Sequence, residues 1–210
     1  MLKLSSLWVR LAIVGLLALL FATPANAHHA MDGQIPTNFW QGFGSGLAHP
    51  VIGIDHLAFV VAAGLLAVTK RQGIWIPIAF VVAALAGTGL HLMSVNLPAA
   101  EVLIAASVLV FGILLTLPQS PNVALMIGLG ALAGIFHGYA YGESIVGAEV
   151  NPLVAYLAGF TVIQLGIALL AAKVGQLAIR MVDQTPQSLR YAGFTLCGLG
   201  AAFMMSRLGL

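Results

Sequence analysis

The sequence predicts an all-α integral membrane protein, a six-span helical bundle behind a cleavable signal peptide. Three observations predict it. Of the 210 residues, 60% are hydrophobic and 7% are charged, where a soluble domain carries about 25% charged residues. The apolar residues form long uncharged runs, separated by short segments that hold proline, glycine and most of the basic residues. The first 27 residues have the layout of a processing segment: Lys3 and Arg10, a short apolar stretch from Leu11 to Phe21, then Ala25-Asn26-Ala27 as a small-x-small cleavage site.

The same composition excludes several function classes. A net charge of +2, scattered along the chain, does not suit nucleic-acid binding. Cys197 is the only cysteine, so there is no internal disulfide and no thiolate cluster. The chain has no P-loop, so ATPase activity is not expected.

Residues 28–38 read as an extracytoplasmic tail and residues 39–210 as the membrane domain. Cleavage after Ala27 would leave His28 and His29 beside a free amine, a group able to capture a divalent cation. The first mature span, residues 39–69, is longer than the ~20 residues a bilayer core needs. A break at Pro50 accounts for the excess, with His49 at the break and a second half-helix starting at Pro50. Irregular backbone at membrane depth survives only where it is buried or lines a cavity, and broken helices of this kind build ion sites in transporters.

Lys70-Arg71-Gln72-Gly73 then makes a basic turn. The second span, residues 74–93, carries His91, and the third, 100–117, begins with Glu101. Pro118 to Asn122 is a turn, followed by a fourth span over 123–141 and a loop over 142–152 with Glu143 and Glu149. The fifth span covers 153–174. A polar connection marked by Lys173, Arg180, Asp183 and Arg190, with room for a short surface helix, leads to the sixth, 191–208. Six spans after a cleaved signal put both mature ends outside the inner membrane. The basic residues agree: Lys70, Arg71, Lys173, Arg180 and Arg190 fall inside, and Arg207 alone falls outside.

The polar residues gather toward the outer side. His56 lies ~21 Å from the inner turn at Lys70, and His137 ~22 Å from Asn122, at helical rise. His49 and His56 are seven residues apart, on one face of a continuous helix. Asp55 points ~100° away from His56, where it could orient another imidazole or bind a cation. His137 and Tyr141 share a face, and the Tyr141 hydroxyl is placed for a ligand or for Glu143. Gly130, Gly134, Gly138 and Gly142 recur every four residues, a stripe that lets a neighbouring helix or an ion approach the backbone beside His137. An intramembrane histidine can also serve only as interhelical glue, and Glu101 can be a simple interfacial charge. Even so, four polar groups at similar depth, beside a proline and a glycine stripe, point to one shared site. Imidazoles with a carboxylate suit nickel, cobalt, zinc or iron(II).

His49-Pro50-x-x-Gly53-x-Asp55-His56, followed by Phe136-His137-Gly138-x-Ala140-x-Gly142-Glu143, resembles the signature pair of the HupE/UreJ family. These are small integral membrane proteins associated with hydrogenase and urease systems and regarded as nickel or cobalt permeases. The resemblance implies metal-handling roles for His49, Asp55, His56, His137 and Glu143, with His28 as the N-terminal histidine. His91 and His29 join them as further metal candidates. Pro50, Gly53, Gly138, Tyr141 and Gly142 would support the site. Where many relatives have a second histidine in the second motif, this chain has Tyr141. The expectation is a secondary permease, not an enzyme, that imports a divalent metal across the bilayer and holds no prosthetic group. The alternatives are an intramembrane zinc hydrolase and a metal-sensing or assembly accessory without transport.

Overall fold

The computed structural model describes residues 34–181 and 187–210. The predicted signal peptide, the tail as far as residue 33 with His28 and His29, and Asp183 lie outside the described residues. Seven helices make up the described part: α1 (Phe39–Ile52), α2 (Ile54–Ala67), α3 (Trp75–Leu92), α4 (Ala100–Thr116), α5 (Val123–Glu143), α6 (Val150–Met181) and α7 (Gln187–Leu208).

The starts of α1 and α5 are dictated locally. Asn38 Oδ1 accepts from the Gln41 N–H at 3.0 Å while the Gln41 side chain accepts from the Thr37 N–H at 2.9 Å, a reciprocal cap. Asn122 Oδ1 accepts from the Ala124 N–H at 2.8 Å. The predicted break at Pro50 is corrected: Pro50 lies inside α1, and the helix turns at Gly53 instead. A proline removes its own N–H bond and crowds the carbonyl four residues back, but the bonds of the following residues can still form. The Gly53 N–H still reaches the His49 carbonyl at 3.1 Å, so the turn completes before Gly53 leaves helical geometry at φ −72°, ψ 98°. The predicted polar connection is corrected too. The fifth span does not end at residue 174: α6 continues through Arg180 to Met181 and runs 32 residues, or ~48 Å.

Three helices, α3, α5 and α6, are long and apolar enough to cross a membrane singly; α1 and α2 qualify together but bend by 80° at their break. α4 is apolar and has 17 residues. The exterior is lipid-like: Leu132 is 54% exposed and Val162 57%, whereas His137 and Gln164 are fully buried. This is the reverse of a water-soluble surface.

The most extensive contacts join α3 to α5, α4 to α7 and α1 to α6. Each pair is closed by glycine. Gly130, Gly134 and Gly138 of α5 face Ile76, Phe80 and Ala84 of α3, both series rising by the same steps, so these helices run parallel. A Cβ on Gly138 would collide with the Ala84 carbonyl. Thr88 Oγ1 donates to the Gly138 carbonyl at 2.8 Å across the same contact. Gly46 meets the Tyr156 carbonyl between α1 and α6 in the same way, and a Cβ on Gly112 of α4 would lie 2.7 Å from the Cys197 nitrogen of α7. Close backbone approach replaces a hydrophobic driving force that lipid does not supply.

One end of the bundle is tied by cations. Arg190 Nε donates to the Thr116 carbonyl at 3.0 Å at the C-terminal end of α4, and Lys70 Nζ donates to the Ser120 carbonyl at 2.8 Å in the turn that follows it. Arg207 sits at the other end, against Asp55 and Glu101.

Gly138→Val is expected to cost at least about 3 kcal/mol, because the obstructing atoms are backbone and cannot repack. Gly128→Ala, which meets nothing within 4 Å, should be neutral. Thermal melting of both variants in detergent checks the pair; equal melting temperatures would refute the packing argument.

Candidate functional site

The break between α1 and α2 delivers His49 and His56 to the same interior space, where they meet residues of α4, α5 and α6. His56 stands in the first turn of α2, and its own N–H is capped by Asp55 Oδ1 at 2.9 Å. Gly53 makes room for the ring: a Cβ there would lie 2.5 Å from His56 Cδ2. Across the bundle, His56 Nδ1 is 2.7 Å from His137 Nδ1. His137 Nε2 is 3.0 Å from Ser107 Oγ on α4. Ser107 donates its own proton to the Ile104 carbonyl at 2.6 Å, so its oxygen accepts from His137 Nε2–H. In a neutral pair, His137 Nδ1 is then the acceptor and His56 Nδ1–H the donor. The basic nitrogen of His56 is therefore Nε2.

His49 occupies a parallel arrangement one step away. Its Nδ1 is 3.0 Å from Ser144 Oγ and 3.2 Å from Tyr156 Oη. Both hydroxyls donate to the Tyr141 carbonyl, at 3.1 and 2.9 Å. Donation from His49 Nδ1–H satisfies this set and leaves Nε2 as the basic atom here as well. The two ring centroids are 5.8 Å apart, and Tyr141 packs on both, at 5.1 Å from His49 and 4.6 Å from His56. The Tyr141 hydroxyl donates to Gln164 Oε1 at 3.2 Å, not to Glu143. Phe59 and Phe80 pack on His137 at 4.7 and 5.3 Å and close the far side with hydrocarbon.

The structure thus brings together His49, His56 and His137, all buried, with buried Asp55 next in sequence to His56. Asp55 turns its second oxygen to Arg207 Nη2 at 3.4 Å. His91 lies on α3, edge-on to Tyr139 with its Cβ against Gly142, and its Nδ1 is buried without a hydrogen-bond partner. Glu143 is exposed at the last position of α5. Among the described residues, no three His, Cys, Asp or Glu side chains are arranged to hold a metal ion at once.

Sequence reasoning did not reach Ser107, Ser144, Tyr156, Gln164 or Arg207. Gln164 carried the clearest signal, as an amide deep inside an apolar run of α6. Buried there, it closes on the Phe160 carbonyl at 3.0 Å and on Tyr141.

Comparison with known proteins decides the family. The HupE / UreJ protein family model matches residues 16–203. The chain belongs to the HupE/UreJ family. It is 30% identical over 198 residues to Protein HupE of Rhizobium leguminosarum bv. viciae, covering 90% of this chain and 95% of that protein. No solved structure matches. HupE/UreJ proteins are associated with nickel or cobalt uptake or accessory functions and are not enzymes. That answers the hydrolase alternative. With its apolar helices, this HupE/UreJ protein is integral to a membrane.

Gly53→Ala should push the His56 ring off His137. In ¹⁵N-histidine-labelled protein, the proton shared by the two Nδ1 atoms is expected as a strongly downfield resonance that the variant loses. Its persistence in Gly53→Ala would contradict the role given to the glycine.

Proposed function

We propose that this chain is a secondary permease that carries a divalent transition metal, nickel or cobalt, inward across the inner membrane. In this reading the mature protein has six spans with both ends outside, and α1 with α2 forms one broken span. The observation that carries it is the His56–His137 contact at the bend, buried in an apolar bundle. Intramembrane ionisable groups are costly and are kept for ion pathways and relays.

His49, Asp55, His56 and His137 take the ion as substrate. His91 and Glu143 act as further donors on the outer side, and His28 and His29 collect the ion outside. The hydrogen bonds described above support this assignment. Metal-ligating histidines characteristically donate their other N–H to an oxygen, which orients the ring and its basic nitrogen. His49 has such oxygens in Ser144 and Tyr156, and His137 has one in Ser107. For His137 to ligate, its bond with His56 has to open. The site is then assembled by the ion and dissolves when the ion leaves, as a conduction pathway needs. Tyr141, standing where many relatives have a second histidine, packs against the ligands and holds Gln164 rather than adding an imidazole. No nucleotide site is required; the gradient or the membrane potential drives entry.

Purified protein in liposomes tests this. Wild type should accumulate radioactive nickel, and His56→Ala should lower uptake at limiting metal by at least about a hundredfold, the upper range for losing a ligand or its support. Full uptake by that variant at normal protein levels would overturn the reading, and no uptake by wild type alone would favour an accessory role. Because ligation needs neutral imidazole and the ordinary histidine pKa is about 6.5, uptake should fall as pH drops below ~6. A flat profile down to pH 5 would count against histidine ligation.

A further inference from the structure

The permease reading does not use Arg207, and the family match ends at residue 203, short of it. Its guanidinium nevertheless stands between two carboxylates from separate helices. Nη2 is 2.9 Å from Glu101 Oε2, at the start of α4, and 3.4 Å from Asp55 Oδ2, at the start of α2. The two contacts differ in depth as well as length. The Glu101 side chain is 36% exposed and that of Arg207 33%, whereas that of Asp55 is 10% exposed. The guanidinium is therefore shared: it lies nearer to the more exposed Glu101 as an ion pair, while its hydrogen bond goes to the more buried Asp55. Through Asp55, which adjoins His56 in sequence and caps its N–H, it is linked directly to a candidate ligand.

We propose that Arg207 is a resident counter-cation for Asp55, which an incoming divalent metal ion displaces onto Glu101. This rests on the permease reading and adds to it a residue that sets cation specificity. With no ion bound, Arg207 neutralises a carboxylate that would otherwise face an apolar interior alone. An ion that engages Asp55 must compete with the guanidinium. A divalent transition metal gains imidazole nitrogens in the same step, so it wins the exchange. Sodium and potassium, with little affinity for imidazole, do not. Glu101 retains the guanidinium at short range, so the displaced charge keeps a partner and the pair can re-form when the ion moves on. No covalent bond changes, and a single ion pair is exchanged for metal ligation.

A purely structural tie between α2, α4 and α7 makes the opposite prediction for binding, since loosening the tie would weaken the site. Titration calorimetry with nickel(II) on the full-length protein in detergent separates the two. Arg207→Gln should tighten nickel binding by about three- to fivefold, the factor that corresponds to a partly exposed ion pair. Arg207→Lys keeps the charge and one of the two pairings, and should tighten it by about twofold. Glu101→Gln should weaken binding in the wild-type background and have no effect once Arg207 is Gln. A metal-binding Glu101 would instead weaken it in both backgrounds and so overturn the exchange. Should Arg207→Gln fail to fold, Arg207→Lys decides. Equal or weaker affinity in the folded arginine variants overturns the counter-cation while leaving the permease reading intact. Failure of the wild-type chain to bind nickel overturns both.

Discussion

Two imidazole nitrogens 2.7 Å apart inside a hydrocarbon bundle need a proton between them, and that proton organises the rest of the site. One ring must donate and the other accept, since two acceptors repel and two charged donors repel more. Ser107 resolves the choice by spending its own proton on the Ile104 carbonyl, which turns its oxygen toward His137 Nε2–H. Gly53 lets the His56 ring fold back over the bend, and the glycine stripe brings α5 against α3 so that His137 stands in the centre. An uncharged pair of this kind tolerates burial that an isolated imidazolium would not.

Much of the architecture was legible in the sequence because lipid imposes simple rules. Apolar runs gave helix limits within a few residues for α3, α4 and α5, and the Gly130-Gly134-Gly138 stripe was readable as a close-packing face. The bend was misplaced by three residues because the rule applied, that proline breaks helices, weighs the lost N–H bond and not the position where the chain can turn. Gly53 supplies that position. The length of α6 was missed because the fifth span was ended at residue 174 and Arg180 was assigned to a separate polar connection, while long basic side chains on a helix leaving the bilayer reach water without ending it. The partners of the histidines were not legible at all. Spacing along one helix tells which residues share its face, but Ser107, Tyr156 and Gln164 arrive on other helices, and only packing selects which faces meet.

The charges that remain are sorted between the two ends. Arg190 satisfies the carbonyl of Thr116, the last residue of α4, where the helix dipole is negative and the last carbonyls need donors, and Lys70 satisfies the Ser120 carbonyl in the turn beyond it. At its other end α4 begins with Glu101, a carboxylate at the positive pole, and Arg207 joins that carboxylate to the first turn of α2. One helix thus carries complementary charge at both poles, and each pole is also a point of attachment for its neighbours.

The three glycine-closed helix pairs divide the candidate ligands among separate bodies. His49 and its partner Tyr156 ride on α1 with α6, and so do Asp55 and His56, because Gly64 of their helix α2 meets the Ala168 carbonyl of α6; His137 rides on α5 with α3, and the partners Ser107 and Arg207 on α4 with α7. Within a pair, backbone touches backbone, so little relative motion is available. Between pairs, contact runs through side chains that can slip. Donor spacing at the centre is accordingly governed by how three stiff struts lean on one another.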